Sequence, residues 1–83
     1  MEGLTEGRMV HYVLSYGPSA GEHRPAIIVK VWNQETGTVN LAVFMDGSND
    51  TSPPPWGMVD WQTSRLPDLI EKRPGTWHWI EKA

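Results

Sequence analysis

At 83 residues and 9.4 kDa the chain is long enough for one small domain. Folding at this size buries only about 60–65% of the surface of the open chain, so the core is thin and leaves no room for a deep catalytic cleft within one chain. A net charge of −3 argues against a nucleic-acid backbone as the main partner, and the absence of cysteine excludes disulfides and thiolate metal sites. No apolar run approaches the ~20 residues of a membrane span, and the first residues lack a signal peptide's basic and apolar regions. A cytosolic setting with no membrane partner is therefore expected.

In chain order, residues 1–8 have no periodicity and are expected to be flexible. Residues 9–15 (M-V-H-Y-V-L-S) predict a strand with Val10, Tyr12 and Leu14 on one face and Met9, His11 and Val13 on the other. Two glycines and two prolines in residues 16–25 predict an irregular loop. Residues 26–32 and 38–46 are apolar, β-branched runs joined by N-Q-E-T-G, the pattern of a hairpin. Pairing Trp32 with Thr38 would set Val31, Val29 and Ile27 opposite Val39, Leu41 and Val43 as the core face. Ile28, Trp32 and Phe44 would then share the outer face, too apolar for solvent alone, so that either another element covers it or it is an interface.

Asp46-Gly47 begins a turn, and residues 46–57, which include Pro53-Pro54-Pro55, predict a long exposed loop. A fourth strand is expected over 58–64 and a fifth over 76–82, with a helical turn over 66–73 that starts at Pro67 and ends at Pro74-Gly75. The expected fold is all-β: a small five-stranded SH3-like barrel or a strongly bent antiparallel sheet, with one short helical turn, in an oligomer.

The strings A-G-E-H-R-P-A-I-I-V-K-V-W, V-N-L-A-V-F-M-D-G-S-N-D and P-G-T-W-H-W carry a resemblance. Over residues 9–82 the chain resembles a group of short, uncharacterised tailed-phage proteins, most closely at 25–32, 39–47 and 75–79. The resemblance implies an accessory phage protein of the host cytoplasm, of the kind that acts as decoy, inhibitor or sequestering protein. It implies no particular chemistry.

The residues themselves give little sign of an enzyme. No serine has a nucleophile-elbow context, and the loop carboxylates Asp46, Asp50 and Asp60 are of the kind that is usually solvated. His11, His23 and His78 lack ligand spacing such as H-x-x-x-H, so neither a metal nor any other cofactor is expected. Arg24 is read two ways, as a clamp for phosphate with His23 as second donor, or as one half of a loop ion pair with Glu22. Asp46 and Asn49 suit ribose hydroxyls or base edges and equally suit a capped turn.

Five tryptophans exceed what so thin a core can bury. Trp61 and one of Trp77 and Trp79 are expected in the core; the others would be exposed, stack on a ligand or lie between chains, with Trp56 either a lid or arm on its stiff loop or an anchor packed on its own barrel. The expectation is a non-enzymatic homo-oligomer that sequesters a nucleotide-like host defence signal between chains. His23, Arg24, Asp46, Asn49, Trp56, Trp77 and His78 would form that site. The alternatives are an inhibitor or adaptor that binds a host protein through Ile28, Trp32 and Phe44, and a phage structural component.

Overall fold

The computed structural model describes residues 1–47, 49–50 and 58–81. Its strands are β1 (Met9–Val13), β2 (His23–Asn33), β3 (Thr38–Phe44), β4 (Val59–Arg65) and β5 (Trp77–His78). They form one antiparallel sheet in the order β4-β3-β2-β1-β5. The all-β class and the five strands agree with the sequence reading; a closed barrel does not form.

The β2–β3 hairpin is where it was expected, and its loop chemistry explains why. The Asn33 side chain accepts the N–H groups of Glu35 and Thr36 at 2.8 and 3.1 Å, and Gly37 closes the loop at φ 77°. A Cβ at Gly37 would also lie 2.6 Å from the Met1 sulfur and 2.8 Å from the Pro67 ring, so only glycine fits there.

The register differs from the expected one over most of the hairpin. Val31 faces Val39 as predicted, but a shift between Val31 and Asn33 pairs Thr38 with Asn33 instead of Trp32, and a bulge between Ile28 and Lys30 pairs Ile28 with Leu41 and Ala26 with Val43. A one-residue shift exchanges the two faces of a strand. Ala26 and Ile28 are therefore buried with Val39, Leu41 and Val43, whereas Val29 is exposed. Ile28 is thus a core residue and is not available as an interface. Trp32 and Phe44 do remain exposed.

The core is completed by Leu4, Val10, Tyr12, Leu14, Met45 and Trp77. Trp61, expected inside, lies on the outer face opposite Ala42 and is 47% exposed. Residues 1–8 make contacts with the sheet. Leu4 enters the core, Gly7 donates to the Ile28 carbonyl at 2.7 Å and Gln34 Nε2 donates to the Leu4 carbonyl at 2.7 Å.

The expected helical turn is replaced by a turn built around Asp68, whose carboxylate accepts the N–H groups of Glu71 and Arg73 and the Arg73 side chain. This turn follows a parallel bridge from Pro67 to Trp77, in which Trp77 donates to the Leu66 carbonyl and Asp68 donates to the Trp77 carbonyl. β5 is therefore only two residues long but is gripped from both sides.

Candidate histidine–carboxylate centre

Strand parity and register bring the three histidines to one place. On β1, His11 projects from the face opposite Val10 and Tyr12, away from the core. Its partner on β5 is His78, directly opposite. On the other side, His11 faces Pro25 and Val13 faces His23, which puts His23 diagonally across from His11 on the same face. The ring centroids are 5.6 Å apart for His11–His78, 4.7 Å for His23–His78 and 6.2 Å for His11–His23.

Glu81, three residues after His78, folds back into this group. Its Oε1 lies 2.6 Å from His78 Nε2, 3.1 Å from His23 Nδ1 and 3.5 Å from His11 Nδ1. Its other oxygen accepts from Lys72 Nζ at 3.1 Å. One potential ligand atom from each of His11, His23, His78 and Glu81 falls within a sphere where all pairs are within 4.8 Å.

The electrostatics follow from this packing. The Lys72 ammonium and His78 beside Glu81 hold its carboxyl down at about 2, so it is a carboxylate at any physiological pH. Burial is the main cause lowering the pKa of His78, which outweighs the pull of Glu81. Its Nδ1 is buried with no hydrogen-bond partner among the described residues, which adds to the cost of a charged ring. The result is a neutral, fixed imidazole with Nε2 turned toward the carboxylate, while His11, His23 and Glu81 remain partly open to solvent.

The other predicted site residues are distributed differently. Arg24 does form a fork, but Asp50 fills it: Nε donates to Oδ2 at 2.7 Å and Nη2 to Oδ1 at 2.8 Å, with Glu22 and the His23 carbonyl taking further donors. Asp50 also accepts the Asp46 N–H, and Asn49 Nδ2 donates to Asp46 Oδ2, so these residues form a capped turn tied to the start of β2. Trp77 is fully buried, with its indole N–H donating to the Gly37 carbonyl at 2.9 Å, and cannot stack on a ligand. Trp56 lies outside the described residues. Of the predicted ligand-binding residues, Asp46 and Asn49 meet within the capped turn, and His23 and His78 meet with His11 and Glu81.

Arg24 and the fold are linked through pH. The Arg24 guanidinium beside Asp50 holds its carboxyl well below the ordinary 3.8. A carboxyl with a depressed folded-state pKa contributes stability above its unfolded value and loses it as pH falls through the folded one. The urea midpoint is expected to be steady from pH 7 to 5 with respect to this pair and to drop below about pH 4. Asp50→Asn should cost about 2 kcal/mol at pH 7 and blunt that acid step, because it leaves the Arg24 charge half-buried without its partner. An unchanged acid profile in the variant would place the acid-labile group elsewhere.

The sequence does not give the histidine cluster, because the glycines and prolines of 16–25 point to a loop around His23 and no local pattern assigns β5 a neighbour. The available signal was weak: two histidines on alternating strand positions, and an acid three residues beyond one of them. The described residues enclose no pocket. The chain matches no family model, no curated protein and no solved structure.

Proposed function

We propose that this protein is a non-enzymatic binding module whose ligand is a divalent transition-metal ion, zinc in the first instance, held by His11, His23, His78 and Glu81. The observation that carries this reading is the convergence of three imidazoles from three different strands on one point, with a carboxylate at that point. Imidazole nitrogen with one carboxylate suits zinc and its neighbours in the first transition row; calcium and magnesium prefer all-oxygen shells. Zinc–nitrogen bonds of about 2.0–2.1 Å at tetrahedral angles place ligand nitrogens about 3.3 Å apart, so ligand atoms that now lie within 4.8 Å of one another must close by up to about 1.5 Å. Because the His78 ring is neutral, a metal at Nε2 needs only the proton that Nε2 gives to Glu81 to pass to Nδ1, with no net loss from the ring.

The phage resemblance sets this reading among accessory binding proteins of the host cytoplasm. Sequestration of a nucleotide-like ligand has less behind it, since a phosphate would have to displace Asp50 from Arg24 and Trp77 is unavailable for stacking. The test is equilibrium dialysis of chelator-stripped protein with metal analysis. We expect about one zinc per chain, with His11→Ala and His23→Ala each weakening affinity at least about 100-fold. Wild-type protein that retains no more zinc than a histidine-free control protein would refute the assignment.

A further inference from the structure

We propose that this metal centre is open, with three histidines as its fixed frame and Glu81 as an exchangeable arm that a small carboxylate displaces. The inference rests on the metal reading above and adds the class of ligand.

The geometry around Glu81 requires the arm to move. Its Oε1 sits between the three nitrogens, at 2.6, 3.1 and 3.5 Å. An ion about 2.0–2.1 Å from each nitrogen takes the volume that this oxygen fills, so the carboxylate must back away when metal binds. The four ligands are not equally able to move. His11 and His23 sit on paired strands and His78 is 1% exposed in β5, whereas Glu81 lies beyond the last strand with 42% of its side chain exposed. A centre with three anchored ligands and one surface carboxylate resembles zinc sites that keep a position for an outside ligand; structural sites hold four anchored ligands.

Glu81 also shows what that outside ligand would be. Its carboxylate already bridges two partners, one oxygen toward the histidine centre and the other on Lys72 Nζ at 3.1 Å. Removing Glu81 leaves a cation at each end of a carboxylate-sized gap: the metal, and the Lys72 ammonium. A small free carboxylate reproduces both contacts, with one oxygen on the metal and one on Lys72. The exchange is a ligand substitution in which one carboxylate leaves as another arrives, with no redox change and no net proton transfer. The site lies on the outer face of the sheet with no enclosing walls among the described residues, so affinity for a ligand as small as acetate is expected in the millimolar range.

Cobalt(II) makes the exchange visible, since its visible absorption responds to the number and kind of ligands. Cobalt-loaded protein is titrated with acetate, with cobalt kept saturating throughout. The expected result is a saturable spectral change. Lys72→Ala should weaken acetate about 5-fold through loss of its ammonium partner. Glu81→Gln should bind cobalt through its histidines more weakly than the wild type does, and should bind acetate more tightly, its competitor being gone. A cobalt spectrum indifferent to acetate, or a Glu81→Gln variant that loses cobalt as completely as His23→Ala, would make Glu81 an obligate ligand and overturn the open site while leaving the metal reading intact. Absence of cobalt binding in the wild-type protein would overturn both.

Discussion

Zinc is expected to raise the midpoint of thermal unfolding by on the order of 15 °C, the largest effect any ligand should have on this protein. The reason lies in how the last strand is held. β5 has two residues, sits at the sheet edge and reaches β1 through the pairs His11–His78 and Tyr12–Trp77. A metal bound by His11, His23 and His78 would tie β5 to β1 and β2 at a point where main-chain pairing is sparse. Since the unfolded chain lacks this arrangement, binding free energy adds to folding stability: about 4 kcal/mol when free metal is 1,000 times its dissociation constant. For a domain of this size each kcal/mol moves the midpoint by about 4–8 °C. Scanning calorimetry with zinc, with chelator and with magnesium checks this. Zinc should shift the midpoint, magnesium should not, and His11→Ala should leave at most about a third of the shift. A wild-type midpoint that zinc leaves in place would count against the centre itself.

Trp77→Ala is expected to remove about half or more of the protein's folding stability. Trp77 is the largest fully buried side chain, it packs edge-on against Trp79 with centroids 5.0 Å apart, and its N–H satisfies the Gly37 carbonyl across the fold. Truncating a buried tryptophan costs about 3–5 kcal/mol, and the unpaired carbonyl adds about 1 kcal/mol or more. A domain of 83 residues has roughly 4–12 kcal/mol in total. Trp77→Phe should cost less, because it keeps an aromatic ring in the core and loses the hydrogen bond and part of the volume. Urea unfolding followed by far-ultraviolet circular dichroism separates the variants. A Trp77→Ala midpoint close to wild type would remove Trp77 from the core and return it to the surface as a candidate stacking residue.

The contrast between Trp77 and Trp61 shows how far the sequence could be read. Both stand in short alternating runs, and nothing local tells which face of each strand will be covered. Trp77 is buried because the segment after β4 crosses to it at Pro67, a contact ten residues away in the chain. Trp61 is exposed because it pairs with Ala42, on the face of β3 away from the core. The same limit explains Ile28. The hairpin loop and the Val31–Val39 pair were legible from N-Q-E-T-G and the flanking runs, but no residue type announces a bulge at Val29. One unannounced residue then reversed the faces of the first half of β2.

Arg24 was legible in kind and undetermined in role. The sequence offered both an anion clamp and an ion pair, and the partner that decides between them, Asp50, stands 26 residues away. The histidine centre is the extreme case, since His11, His23 and His78 share no spacing that a motif could capture.

By itself the sequence determined the all-β class, the five strands and the central hairpin, because side-chain alternation and turn chemistry act over a few neighbouring residues. It also determined that no thiolate could serve as a ligand. The tertiary structure alone decided the register beyond the bulge, the burial of Ile28 and Trp77, the capture of Arg24 by Asp50 and the meeting of three histidines with Glu81. Each of these depends on which strands lie side by side. That order, β4-β3-β2-β1-β5, sets the last strand beside the first, where His78 meets His11 across 67 residues of chain.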